Sequence, residues 1–522
     1  MAASGRAQPR LGAGLNRPDA LKRLADEQFD VLVIGGGATG LGAAVDAASR
    51  GYRTALVEAD DFAAGTSSRS TKLIHGGVRY LQRGDIGLVR ESLRERAALC
   101  RNAPHLVEDR EFVVPAYHNF EIPYYAAGLL AYDLLAGRSG FPRSRIVSSA
   151  RARTLIPGLL PDRLRGAVVY HDGQFDDARL AIALARTADE HGATVANYVR
   201  ATGFVYDPHR RVIGATIVDC ESGVEIVVRA RAVINATGVF VDAVRTLDEP
   251  SARQLLALSR GSHVVVPATT LGNPTAALLV PETSDGRVLF AIPWLQHVLI
   301  GTTDVPVAAA EVDPMPSSDE IAYILATVNR YLAAQLTTRD VLATFAGLRP
   351  LVARKPAATA KLSREHLVDV SPSGLTTIAG GKWTTYRKMA EDAVNAAARA
   401  AGLAASPSQT ASLPLHGAAY AAEALALTAN DAALGEQLDP RLPYTGAHVV
   451  YAARTEMART VEDVLARRTR ALFLDVDAAR ASAPRVAALI AEELHRDASW
   501  IAAEIAAFND VVRRRTSPLS AF

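Results

Sequence analysis

The stretch FDVLVIGGGATGLGAAVDAASRGYRTALVE, Phe29 to Glu58, reads as strand, glycine turn, helix, strand and acid. Asp30 is followed by the apolar run Val31 to Ile34, long enough for a buried parallel strand. Gly35, Gly37 and Gly40 then form GxGxxG. The first glycine permits a tight turn, the second lets backbone approach a pyrophosphate, and the third lets the next helix pack on the strand. Ala38 and Thr39 open that helix, whose N-terminus offers unpaired N–H groups and the positive end of a dipole to phosphate. Arg53 to Val57 gives a second strand, and Glu58 sits at its end, 23 residues beyond Gly35. A carboxylate there accepts hydrogen bonds from ribose hydroxyls and repels a 2′-phosphate. An adenine dinucleotide of the FAD or NAD kind fits; NADP does not.

Around this unit, 522 residues are too many for one core, so two or three domains are expected. A net charge of +2 gives no reason to propose nucleic acid as a partner. Cys100 and Cys220 stand far apart, in neither a CxxC nor a metal-ligand spacing, and read as reduced thiols of a cytosolic protein. No metal site and no covalent flavin link are expected. Residues 1–28 lack the apolar core of a secretory signal and read as a flexible tail. No apolar run of about 18 residues occurs, so no transmembrane helix is expected. The segment 121–149 is unusual: Tyr124, Tyr125, Leu129, Leu130, Tyr132, Leu134 and Leu135 crowd together, and Arg138, Arg143 and Arg145 follow. Two readings stand open: a core helix with a basic connector, or an interfacial helix that sets apolar side chains into a bilayer and arginines on its headgroups.

Further along, GTSSRSTKLIHGGVRY (Gly65 to Tyr80) is too rich in hydroxyls and cations for a core. It reads as a loop beside the pyrophosphate and flavin, with Thr66, Ser67, Ser68, Ser70, Lys72, Leu73, His75, Gly76 and Gly77 as cofactor contacts. Residues 85–101 have helical spacing with Arg and Glu outward. Val224 to Val228 and Arg231 to Asn235 read as separate strands, the second ending in the small-residue crossing Ala236-Thr237-Gly238 beneath a cofactor. Residues 263–303 alternate strands with Pro and Gly, which suggests an antiparallel sheet. Leu375 to Ala379 leads into Gly380-Gly381-Lys382 and a helix begun by Thr384 or Thr385. Two glycines, a lysine and a helix start together suit a flavin ring, whose reduction places negative charge near N1 and C2=O. So many distant segments around one ligand favour a permanently held FAD over NAD.

The expected organisation is α/β. A discontinuous Rossmann-like domain draws on 29–120, 150–258 and 345–402. An antiparallel-sheet substrate domain is inserted at 259–344, 403–415 is a linker, and 416–522 is an all-helical domain.

The motifs GGGATGLGAAVDAASRG (35–51), TSSRSTKLIHGGVRYL (66–81), DDARL (176–180), RGSHVVVP (260–267), IGTTD (300–304), GLRPL (347–351) and GGKWTTYRKMA (380–390) occur in one order. Together, and with EMARTVEDVLARRTRALFLD (456–475), the chain resembles the FAD-dependent, aerobic respiratory glycerol-3-phosphate dehydrogenases over roughly residues 28–520. ATGVF (236–240) departs from that family, which often has Pro-Trp after the glycine. No calcium-binding EF-hand pattern is present, so the form resembled is the bacterial one.

The resemblance implies a glutathione-reductase/D-amino-acid-oxidase type of FAD domain and non-covalent FAD. It implies oxidation of sn-glycerol 3-phosphate to dihydroxyacetone phosphate, with hydride passing from C2 to flavin N5 and electrons onward to membrane quinone. The implied location is cytoplasmic, peripheral to the inner face of the plasma membrane, and a homodimer is compatible with it. A phosphate dianion needs cations, and Arg79, Arg349, Arg364 and Lys382 lie in or near the motifs, with Tyr80 as a hydroxyl donor. The C2 hydroxyl needs a proton acceptor; His263 is first choice, and Arg349 and Lys382 complete the catalytic set. Three competing readings remain: a glycerophosphate oxidase that uses oxygen, an amine oxidase of the same superfold, and a non-catalytic flavoprotein, which would need none of the phosphate-binding cations.

Overall fold

The computed structural model describes residues 14–82, 84–137, 141–281, 283, 288–353 and 366–519; of Arg79 and Gln82 it describes the backbone alone. Two sheets organise the chain. The first runs in the order His366–Val370, Thr376–Gly380, Glu225–Asn235, Gln28–Ile34, Thr54–Val57, Thr194–Ala196. The strand Gln28–Ile34 sits at its centre, parallel to both neighbours, and Val31 to Ile34 are all buried, as an apolar run covered on both faces requires. The helix Ala38–Ser49 packs on one face beside Tyr386–Ala400 and Asp177–Glu190. Two glycines make this approach possible. A Cβ on Gly40 would lie 1.9 Å from the Gly35 oxygen, and Gly35 itself has φ +111° with the Ala236 carbonyl where a side chain would stand.

Glu225–Asn235 is one continuous strand, not the two read from the sequence. Its first half pairs antiparallel with Val212–Asp219 and its second half parallel with Gln28–Ile34. The two dipeptide-scale breaks in apolarity at Arg229 and Arg231 mark exposed positions of an alternating strand, not a turn.

The second sheet runs Val305–Val307, Leu256–Pro267, His297–Gly301, Leu289–Trp294, Ala277–Val280, Val107–Ala116, Gly166–Phe175, Leu73–Ile74. Ala343–Val352 pairs antiparallel along Leu256–Pro267, and Arg145–Ser148 along Gly166–Phe175. This sheet therefore recruits strands from 73–74, 107–116, 145–148 and 166–175, outside the expected 259–344. Periodicity could not show it, because it gives no strand partners and these pairings join segments that are not neighbours in sequence, as Leu73 with Gln174 and Ala277 with Phe112. The helix Ser318–Asn329 covers one face. The C-terminal helices, among them Gly446–Thr455, Val476–Leu494 and Ala498–Thr516, share a core with Val265, Trp294, Leu299 and Phe345 on the other.

Three segments expected to be loose or outward are held. Residues 17–26 of the expected tail form a helix capped by Asn16, and Arg17 reaches Asn197 and Asp219 with only 6% of its side chain exposed. The expected linker 403–415 is strapped down: Tyr52 Oη donates to the Ala404 carbonyl at 2.6 Å, Arg50 to the Ser406 carbonyl at 3.0 Å, and Leu413 and Leu415 pack on the first core. On the helix Ile86–Asn102, Glu95 and Arg96 point inward onto Arg387 and Asp172.

The aromatic segment forms one helix, Glu121–Ala136, with a buried and an exposed side. Leu129 and Tyr132 are core, and Tyr132 Oη links Asp172 to the Gly76 backbone N–H. Phe120, Tyr124, Leu130 and Leu134 are 71%, 61%, 54% and 72% exposed. Arg138 lies outside the described residues. Arg145 is spent on Glu111.

Candidate active site

At the glycine turn, the Gly36 N–H donates to Glu58 Oε2 at 2.5 Å and the Asp60 N–H to Oε1 at 2.9 Å. Burial pushes the Glu58 carboxyl up to about 7, against the pull of these two donors. A buried carboxylate held only by backbone donors beside a glycine turn fits ribose hydroxyls, which bring further donors. The helix Ala38–Ser49 starts at Gly37 with no side-chain cap of its own, and its Ala38 N–H is met by Ser67 Oγ from the hydroxyl-rich loop at 2.9 Å. Its first-turn N–H groups thus point to the place a pyrophosphate takes. The residues present fit FAD.

The loop 66–77 divides into two faces. Thr66 Oγ1 donates to the Leu348 carbonyl at 2.7 Å, the His75 N–H meets Thr384 Oγ1 at 3.3 Å, and Trp383 Nε1 donates to the Ser67 carbonyl at 2.9 Å. These contacts bring GLRPL and GGKWTT onto the same loop. The Ser70 and Lys72 side chains turn the other way, away from the cofactor contacts expected of them, and Ser68 Oγ bonds back to the Gly65 carbonyl. Lys72 Nζ, wholly buried, donates to Asp177 Oδ2 at 2.7 Å and to the Ser68 carbonyl at 2.8 Å, and Ser70 Oγ donates to the same carboxylate. Burial would raise the Asp177 carboxyl, but Lys72 and Arg470 hold it below its ordinary range. Ser70, Lys72 and Arg470 are drawn to the buried acid because an unpaired buried charge costs several kcal/mol. Leu73 packs in the second sheet's core. Ala236 lies against the glycine turn, and Thr237 Oγ1 donates to Asn235 Oδ1 at 2.7 Å.

His263 and Arg349 come from paired strands, Leu256–Pro267 and Ala343–Val352, where Ser259 faces Arg349 and His263 faces Phe345. The imidazole is 2% exposed and stacks on Phe345, ring centres 4.7 Å apart. Its Nε2 lies 3.0 Å from Thr71 Oγ1. Burial, then the charges of Lys72 and Arg349, drive its pKa well below the ordinary histidine value, so the ring is held neutral. Arg349 donates to Thr302 Oγ1 at 3.1 Å and to the Thr303 carbonyl at 3.0 Å, and meets Asp304 at 3.4 Å. Asp304 also accepts from Ser259 Oγ. Glycines of the RGSH and IGTTD motifs make the room: a Cβ on Gly261 would lie 2.3 Å from Arg349 Nη2, and one on Gly301 2.3 Å from the His263 ring.

Lys382 stands at the other end of the loop. Its Nζ lies 4.0 Å from the centre of the Tyr80 ring and donates to Ser92 Oγ at 3.2 Å, with Gly77 alongside. Gly381, at φ +77°, meets Met389 where a side chain would be, and Thr384 and Thr385 are buried at the helix start. The Arg79 side chain and Arg364 lie outside the described residues. The loop therefore connects two groups, His263 with Arg349 through Thr71, and Lys382 with Tyr80 through Gly77.

Sequence reading missed Thr71, Thr302, Asp177 and the C-terminal arginines. All of them stand inside the motifs quoted above, where residue type alone gave these positions no role. Arg467 and Arg468 both reach Asp61, three residues past Glu58, with the nearest contacts at 2.5 Å. Burial raises Asp61 and these two guanidiniums more than offset it, so the helical domain grips the turn after Glu58 through one carboxylate.

Fold and site define a flavin-dependent oxidoreductase. Residues 30–387 match the FAD dependent oxidoreductase family, and residues 377–500 match the C-terminal domain of alpha-glycerophosphate oxidase. The chain is 44% identical over 519 residues to the mitochondrial glycerol-3-phosphate dehydrogenase of Macaca fascicularis, covering 90% of this chain and 71% of that one. It is 40% identical to glycerol-3-phosphate dehydrogenase 2 of Mycobacterium bovis, covering 94% and 88%. The structure of the glycerol-3-phosphate dehydrogenase from Bacillus halodurans complexed with FAD superposes with a TM-score of 0.76 at 29% identity, over 96% of this chain and 98% of that one. The chain belongs to the FAD-dependent oxidoreductases and, within them, to the glycerol-3-phosphate dehydrogenases.

Proposed function

We infer that this protein oxidises the C2 hydroxyl of sn-glycerol 3-phosphate to the ketone of dihydroxyacetone phosphate and passes the electrons to a membrane quinone. The observation that carries the chemistry is a neutral, buried His263 beside the guanidinium of Arg349, on paired strands that face the cofactor loop. FAD bound by the Gly35–Gly40 turn, Glu58 and the 66–77 loop supplies the hydride acceptor. Arg349, fixed by Thr302, Thr303 and Asp304, orients the substrate oxygen. His263 takes up the hydroxyl proton at Nε2, the nitrogen on the Thr71 side, and a neutral imidazole is the form able to do so. Lys382, with Tyr80 and Arg79, meets the phosphate, whose dianion would otherwise lose its hydration without compensation. Arg364 joins this set as an expectation from its motif. An amine oxidase would need a carboxylate clamp and fewer cations.

The exposed face Phe120, Tyr124, Leu130 and Leu134 supports contact with the membrane surface that holds the quinone. No helix among the described residues is long and apolar enough to cross a membrane. In the assay, glycerol 3-phosphate should reduce a quinone analogue far faster than it yields peroxide; the reverse ratio would assign the protein to the oxygen-using oxidases.

A further inference from the structure

Outside the groups already assigned, one buried acid is tied to both halves of the substrate side. Glu320 lies in the first turn of the helix Ser318–Asn329 and is 5% exposed. As a capping-box residue it accepts from the Ser317 N–H at 3.0 Å, and a cap asks nothing more of it. It does more. Its Oε1 also accepts from Ser262 Oγ at 2.8 Å and from Thr303 Oγ1 at 2.6 Å, and Arg260 meets Oε2 at 2.7 Å. Thr303 Oγ1 in turn accepts the Ser262 backbone N–H at 2.9 Å. Ser262 is the residue before His263. Thr303 supplies the carbonyl that Arg349 binds, next to the Thr302 hydroxyl that Arg349 also binds.

We propose that Glu320 is a positioning residue for the oxidation: through Ser262 and Thr303 it fixes His263 and Arg349 relative to one another, from the first turn of the helix that covers the sheet. The inference rests on the roles given above to those two residues. A strand and a loop joined only by backbone bonds leave the side chains they hold free to shift by a fraction of an ångström, and reacting geometry is lost over about that distance. A single carboxylate that accepts from Ser262, on the histidine strand, and from Thr303, in the loop that holds Arg349, removes the shift. Burial alone would raise the Glu320 carboxyl, yet the donors Ser317, Thr303 and Ser262 and the charge of Arg260 leave it below its ordinary range, so it remains a full acceptor.

Four variants of the FAD-loaded enzyme test this by stopped-flow flavin reduction, steady-state KM and thermal unfolding. Glu320→Ala should raise the KM for glycerol 3-phosphate and slow flavin reduction, each by about tenfold. Thr303→Val, which removes one hydroxyl and keeps the shape, should reproduce the kinetic loss with little change in Tm and carries the test should Glu320→Ala not fold. Glu320→Gln, which keeps an acceptor, should recover part of the rate. Ser317→Ala, which weakens only the cap, should lower Tm and leave KM and flavin reduction as they are. If Thr303→Val and Glu320→Ala leave both kinetic constants at wild-type values, Glu320 is a helix cap and the proposal fails. Arg349→Ala run alongside separates the two readings: wild-type kinetics there overturn the site itself, whereas a crippled Arg349→Ala with an unaffected Thr303→Val overturns only the role of Glu320.

Discussion

At the scale of single residues, the site is a set of charges whose neighbours decide their form. His263 shows the sign of this most simply. Its folded pKa lies well below 6.5 because burial and two nearby cations oppose the imidazolium. As pH falls through 6.5 the unfolded chain takes up a proton that the folded chain refuses, so this residue subtracts stability on acidification and contributes nothing above that range. The same depression keeps the base available. The rate of flavin reduction by glycerol 3-phosphate should therefore hold its plateau through pH 6.5, with its acid limb lower. An acid limb centred at or above 6.5 would remove His263 as the base. Arg349→Ala should lower kcat/KM by about ten- to a hundredfold, the worth of a charge-assisted hydrogen bond of about 1.5–3 kcal/mol. Residue types in motifs single out His263, Arg349 and Lys382, and the structure sets the first two on paired strands. What stayed hidden was the direction of side chains: Lys72 sits in the same motif as His75 yet turns to Asp177, and no spacing rule distinguishes the two.

Among the elements, the strand–turn–helix at Phe29–Glu58 was legible because its signals are local: an apolar run, glycines at fixed steps and an acid at the strand end. Elements held by distant partners were not. The helix Arg17–Asp26 looks polar until Arg17 finds Asp219, and the strap 403–415 looks like a linker until Tyr52 and Arg50 hold it. Asp61 is the sharpest case of such reach, since two buried arginines from residues 463–468 converge on it. Asp61→Asn removes the buried negative charge that both guanidiniums share, and breaking a buried pair costs about 3–5 kcal/mol. The variant should unfold at lower urea and release flavin fluorescence before the C-terminal helices melt; release coincident with global unfolding would deny the grip on the cofactor turn. The helix Glu121–Ala136 divides by face. Phe120→Ser with Leu134→Ser should free the protein from sedimenting vesicles at unchanged stability. Leu129→Ala should instead lower stability by about 2–5 kcal/mol, because Leu129 is core.

Across the whole molecule, a cofactor domain, a substrate sheet and a helical domain converge on one loop, residues 66–77, which touches the glycine turn, GLRPL, GGKWTT and the histidine strand. That convergence explains why the domain boundaries read from sequence were too simple: the second sheet takes strands from both sides of the cofactor segments, so contiguous ranges cannot describe it. It also states the central claim, that one loop couples a dinucleotide site to a site for a phosphorylated alcohol. The direct measurement is anaerobic titration of the yellow, FAD-loaded protein with glycerol 3-phosphate, followed by flavin absorbance. The claim requires bleaching by glycerol 3-phosphate and none by glycerol or by amino acids at the same concentration. An unbleached flavin, or bleaching by an amino acid instead, would contradict it.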